Sequence, residues 1–194
     1  SCPIMRYCPR LFSGKEAAVQ SRLCIENNMK RCYTQNKSKN SRGNLGADIP
    51  VLVYRMLEYS LRDAITERFG KVVQVELFRK AGRTAGEYFA RHFLDLTLPM
   101  NGFVGELQAK MQEQRIGVLR IESIDEEKGE IMLTVSEDAD CSGLPVLGET
   151  VCNYDEGFIS GILSVYSGKE YRAVEIDCWA TGNRVCRFRS AIEE

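Results

Sequence analysis

Cys152, Glu175, Cys178 and Cys186 are the residues whose types and spacing most directly suggest chemistry. Cys152 enters a helix-like stretch, Glu175 and Cys178 leave a strand-like one, and Cys186 returns after a turn. Three thiolates and a carboxylate can surround a borderline-soft cation tetrahedrally, and zinc accepts sulfur and oxygen ligands at about 2.0 to 2.3 Å. Four protein ligands leave no open position. The expected metal site is therefore structural, clamping a helix to a hairpin and adding its binding free energy to folding. The plainer reading makes Cys178 and Cys186 small buried hydrophobes and Glu175 a surface strand residue.

A second set of cysteines, Cys2, Cys8, Cys24 and Cys32, falls in the first 45 residues, far from Cys141, Cys152, Cys178 and Cys186. From Ser1 to Leu45 there are nine Lys or Arg against two Glu, so this arm carries +7 and the remainder −8 of a net −1. Clustered cysteines in a reducing compartment point to metal or redox chemistry more than to disulfides. The arm has no tight C-x2-C pair of the zinc-ribbon kind. Cys2 and Cys8 are each followed by Pro, a step that also ends ferredoxin-type cysteine runs. An iron–sulfur cluster on Cys2, Cys8, Cys24 and Cys32 ranks first, zinc second, and unligated or redox-active thiols third. Excess positive charge would offset an anionic cluster, although a solvated basic tail explains it too. Cys141 stands apart, either a buried structural thiol or a redox-sensing one.

These residues need elements to hold them. With 44% hydrophobic and 27% charged residues, the composition is that of an ordinary globular chain. No apolar run is long enough to cross a bilayer and no signal peptide is recognisable, so a cytoplasmic, membrane-free protein is expected. The polar stretch 35–47 reads as a linker, dividing an arm (1–45) from a domain (46–194). Asp48 can cap and Pro50 can open a helix in which Val51, Leu57, Leu61, Ile65 and Phe69 recur before Gly70. A second helix carries Leu77, Ala81, Ala85 and Phe89 as a stripe, with Gly82 and Gly86 one turn apart marking a tight crossing. A third spans roughly 102–114. Val118–Ile124 and Glu130–Val135 alternate as a hairpin, a fourth helix near 154–166 carries Gly157 and Gly161, and strands 171–178 and 185–190 close the chain. The fold class is α+β, helices packed on a mostly antiparallel sheet, with a cysteine-rich N-terminal extension.

Cys152, Glu175, Cys178 and Cys186, the paired glycines and the ending Glu-Ile-Asp-Cys-Trp-Ala-Thr-Gly-Asn-Arg-Val-Cys-Arg-Phe resemble the 4-vinyl-reductase-type domain family. That family includes the aromatic-sensing domains of phenol-responsive regulators and a protein implicated in bacteriochlorophyll vinyl reduction, and its fold is similar to that of TRAPP subunits. The resemblance runs from about Asp48 to the C-terminus. It implies zinc on those four residues, a chamber for a small hydrophobic or aromatic molecule, and a homodimer.

Two functions compete. One is a ligand-binding, sensory protein with structural zinc, its arm reporting redox state or meeting a redox partner protein. The other is an iron–sulfur-dependent reductase acting on a vinyl-bearing or tetrapyrrole-like substrate. The chain shows no Ser-His-Asp set, phosphate loop or HExxH, so whether it is an enzyme stays open at this level. No helix-turn-helix pattern opens the chain, which disfavours nucleic acid.

Overall fold

The computed structural model describes residues 44–46 and 48–193. Cys2, Cys8, Cys24 and Cys32 lie outside the described residues, and so does nearly all of the arm. Residues Ile49–Glu194 form one compact unit. It contains helices α1 (Val51–Phe69), α2 (Lys71–Phe93), α3 (Met100–Glu113) and α4 (Asn153–Ser167). Strands β1 (Val118–Asp125), β2 (Glu130–Ser136), β3 (Tyr171–Asp177) and β4 (Cys186–Ile192) form one antiparallel sheet in the order β1-β2-β4-β3. The expected α+β class is what the chain adopts. Among the described residues no helix is long and apolar enough to cross a membrane.

The strands alternate as a one-sided sheet should. Ile131, Leu133 and Val135 of β2 and Cys186 and Phe188 of β4 point into the core, where α3 and α4 lie across them. β3 is an edge strand, and its inward N–H groups need partners. α4 supplies them: the N–H groups of Tyr171, Ala173 and Glu175 donate to Ser164 Oγ, Ser160 Oγ and a Glu156 carboxylate oxygen. Four helical residues advance about 6 Å and two strand residues about 6.6 Å, so the two ladders stay in step.

α2 crosses α4 on glycine. A Cβ at Gly82 would sit 1.9 Å from the Tyr154 carbonyl oxygen, and one at Gly157 would sit 1.9 Å from that of Arg79. Gly86 and Gly161 meet Phe158 and Arg83 backbone in the same way. The tight crossing expected from the paired glycines is therefore an interlock of the two pairs. It also corrects the stripe expected for α2. Gln74, Phe78, Gly82, Gly86 and Ala90 face inward, while Leu77 and Ala81 are exposed. The deepest contact needs absent side chains, which apolar periodicity does not detect.

α1 departs further from expectation. Helix 51–69 forms, but Pro50 is its N-cap and no side chain caps it, so Asp48 does not play that part. Its expected inward residues Val51, Leu57, Leu61 and Phe69 are exposed, Leu57 at 69%. The buried pair is instead Glu58 and Arg62, with Tyr54, Arg55 and Tyr59 on the same side. That polar face grips the loops near 138–140 and 151–153. Tyr54 donates to Asp140, Arg55 to the Ala139 carbonyl, and Arg62 to Glu58, Asn153 and the Val151 carbonyl. Buried polar groups must be paired, so α1 turns its charges to the loops that can pair them.

Gly82→Ala should lower stability by about 2 to 4 kcal/mol, because backbone rather than a flexible side chain must yield. Denaturant unfolding checks this, and an unchanged midpoint would show that the crossing relaxes freely.

Candidate metal centre

The sheet register starts the site. β2 pairs with β4 so that Val135 lies opposite Cys186, the first residue of β4, and the chain leaving β2 turns over that cysteine. Glu137 takes a positive φ, and Asp138 accepts the Asp140 N–H, folding the loop so that Cys141 is fully buried. Cys152 is the N-cap residue of α4. Cys178 leaves β3 and begins a 3-10 turn, Trp179–Thr181, whose Ala180 carbonyl accepts from Leu147 and Gly148 while Trp179 donates to the Leu144 carbonyl.

The Sγ atoms of Cys141, Cys152, Cys178 and Cys186 all lie within 4.8 Å of one another. Cys141 is 3.0 Å from Cys186, Cys152 is 3.6 Å from Cys186, and Cys152 is 3.9 Å from Cys178. All four are free, buried thiols. Sulfurs 2.3 Å from a shared ion stand about 3.8 Å apart at tetrahedral corners, so the cluster fits one ion of zinc size. A cubane, which takes one thiolate at each of four iron corners, needs its sulfurs much farther apart. The cluster is compatible with metal binding.

Three of the residues expected from the sequence, Cys152, Cys178 and Cys186, are thus brought together. The fourth, Glu175, stands beside them. Its Oε2 accepts the Cys152 N–H, and its Oε1 is buried without a partner. Burial, reinforced by the charge of Cys178, pushes its carboxyl up to about 8. Cys141, left apart in the sequence, joins the sulfurs. The register of β2 against β4 carries it there, and neither linear spacing nor composition contains that signal.

The electrostatics of crowded thiols are coupled. Hydrogen bonds from the other three sulfurs hold Cys178 far below the ordinary thiol range and push Cys152 above it. One sulfur takes the negative charge and its neighbours donate to it. Close by are Asp138, Asp140 and Asp155, each driven up from the ordinary carboxylate range first by burial. Arg62, stacked over the Phe78 ring at 4.6 Å, serves Glu58 in the same region.

On the other side of α4, its Ile159, Ile162 and Leu163 meet Phe103 and Leu107 of α3 and Leu133 of β2 around an entirely apolar void of about 10 Å³. That is room for a single water-sized sphere.

An α+β domain with a buried cluster of thiols beside an apolar helix–sheet interior is the class that this geometry defines. Residues 131–191 match the 4-vinyl-reductase domain family, bearing out the resemblance seen in the sequence. The chain is 32% identical over 83 residues to the uncharacterized protein MJ1642 of Methanocaldococcus jannaschii, covering 43% of this chain and 49% of that one. It therefore spans about half the length of that curated relative. Among solved structures it is similar in fold to the phenol-responsive sensory domain of the transcription activator PoxR with phenol. There the TM-score is 0.59 at 16% identity, over 76% of this chain and 78% of that one. It is similar also to a vinyl-4-reductase family protein from Methanocaldococcus jannaschii, with TM-score 0.54 at 14% identity, over 95% and 99% of the two chains.

Proposed function

We propose that this domain is a sensory module that binds a small hydrophobic or aromatic molecule between α3, α4 and the sheet, and that a zinc ion fastens the chamber wall. The observation that carries the reading is the convergence of four sulfurs at the N-terminus of α4, whose side chains line the apolar void. The ion would be held by Cys141, Cys152, Cys178 and Cys186. Glu175, the carboxylate implied by the family resemblance, would hold the Cys152 N–H and keep the helix start in place. Bound zinc there supplies cross-linking of four chain segments and no chemical step, since four thiolates close its coordination. For the arm we keep the iron–sulfur assignment to Cys2, Cys8, Cys24 and Cys32, on the sequence argument alone.

Likeness to a phenol-responsive sensory domain supports an aromatic ligand. The chamber must widen to admit one, and its flexible methionines, Met100 and Met111, are suited to give way. The exposed apolar face of α1, with Leu52, Met56, Leu57 and Leu61, supports pairing with a second copy of this chain.

Metal analysis after anaerobic purification should find one zinc per chain. Against a chelator, Cys141→Ser and Cys178→Ser should each release it, while Glu175→Gln costs about 10- to 100-fold in affinity, as a residue behind the ligands does. Retention of zinc by Cys141→Ser together with its loss in Glu175→Gln would return the fourth place to the carboxylate. Iron and acid-labile sulfide that disappear when the arm cysteines become serine are expected in addition; a colourless, iron-free protein removes the cluster.

Phenol, indole and similar apolar probes should raise the melting temperature, by about 2.7 kcal/mol of stabilisation at a hundred times their Kd. Leu133→Ala, which enlarges the void, should tighten binding of the smaller probes. If neither protein responds to any probe, the chamber is only a core. Sedimentation should show a dimer that Leu57→Glu converts to a folded monomer, and a monomeric parent protein at tens of micromolar excludes the pairing.

A further inference from the structure

Beside the sulfur cluster lies a second group of donors. One carboxylate oxygen each from Asp138 and Asp155 and the Cys152 sulfur all lie within 4.8 Å of one another. Cys152 belongs to both groups. Asp138 and Asp155 are 3% and 8% exposed, and the Oδ2 atom of each has no hydrogen-bond partner. Asp140 Oδ2 and Glu58 Oε2 are bare in the same way. Positive charge nearby is committed elsewhere: Arg62 bonds Glu58, Asn153 and the Val151 carbonyl, and Arg55 bonds the carbonyls of Ala139 and Asp138. Among the described residues no Lys or Arg forms an ion pair with Asp138, Asp140 or Asp155. Buried carboxylate oxygens left bare cost folding free energy unless a proton or a cation meets them.

We propose that Asp138, Asp155 and Cys152 form a second divalent-cation site, its ion joined to the four-sulfur ion by the Cys152 thiolate. This rests on the four-sulfur reading above, since the bridge needs Cys152 to be a ligand there. Donors 2.0 to 2.3 Å from a shared ion are at most about 4.6 Å apart, so the group closes on an ion by contracting a few tenths of an ångström. Two carboxylates with one thiolate suit an ion of the zinc type, whereas magnesium and calcium take oxygen donors. The double positive charge meets the bare oxygens, and the ion itself requires no cavity. Three protein donors leave one position open. Met111 and Ile159 line both the cleft beside Asp138 and Asp155 and the apolar chamber, so that open position adjoins the space assigned to the ligand.

Cobalt titration tests this on the full chain carrying Cys2→Ser, Cys8→Ser, Cys24→Ser and Cys32→Ser, stripped of metal and kept anaerobic. The first equivalent should bring intense thiolate-to-cobalt charge transfer, tetrahedral ligand-field bands and a half-integer-spin EPR signal. A second equivalent should bind, and the signal should fall by more than half as the bridging sulfur couples the two spins. Asp138→Asn with Asp155→Asn should keep the first step unchanged, weaken the second by about 100-fold or more, and leave the EPR signal standing. Saturation at one ion with an undiminished signal in excess cobalt overturns the proposal and leaves a shared proton between the two carboxyls. So does a coupled second ion that survives both substitutions. Absence of charge transfer at the first equivalent would instead remove the four-sulfur site, and the titration of the unsubstituted carboxylates decides the matter even if the variant fails to fold.

Discussion

Four sulfurs within 4.8 Å of one another cannot all be negative unless positive charge sits among them. That repulsion is the constraint around which the domain is arranged. The sulfurs come from a loop, a helix start, a strand end and a strand start, stretches with no reason to meet if cysteine were only a small apolar residue. Unmetallated, the cluster settles the conflict by placing charge on Cys178 and turning its neighbours into donors. A divalent ion settles it more completely, because every thiol can then lose its proton. Each surrounding device keeps one sulfur in place: the folded loop at Asp138, the Glu175 carboxylate on the Cys152 N–H, the 3-10 turn after Cys178, and the β2–β4 register at Cys186.

α1 belongs to the same arrangement, although it contributes no sulfur. An amphipathic helix ordinarily buries its apolar stripe. Here the polar face is buried because the two loops that flank the sulfurs expose carbonyls and carboxylates, and Tyr54, Arg55, Tyr59 and Arg62 answer them. The apolar stripe is what remains, and it is left on the surface.

Much of this was legible in the residues. The helices, both hairpins and the antiparallel sheet follow from period and turn chemistry, and Gly82, Gly86, Gly157 and Gly161 announced a close crossing at the right places. Cys152, Cys178 and Cys186 could be grouped because a helix start and a short hairpin keep them near in any compact fold. What stayed hidden depends on long-range register. Cys141 reaches the cluster only because β2 lies against β4, 45 residues separating it from Cys186. The direction α1 faces was hidden for a similar reason: periodicity reveals that a stripe exists, while the side that is buried depends on partners some 80 to 90 residues away. Gln74, Phe78 and the glycines of α2 show the same limit, since close backbone contact displaces the apolar stripe from the interface.

α4 is the element on which the separate parts converge. Its first turn meets the sulfurs through Cys152, one side interlocks with α2 through Gly157 and Gly161, another bonds the edge of β3 through Glu156, Ser160 and Ser164, and Ile159, Ile162 and Leu163 line the void. Glycine-on-backbone contact has no side chain to absorb a shift, and the β3 bonds tolerate no slip in register. Widening the chamber by moving α4 would therefore strain the glycine crossing and drag Cys152 against its neighbouring sulfurs. Widening it from the α3 side disturbs neither, since α3 meets the sheet through side chains such as Phe103, Leu107 and Met111, which can change rotamer. A domain built this way holds one wall of its interior rigid through the sulfur cluster and leaves the opposite wall free to yield.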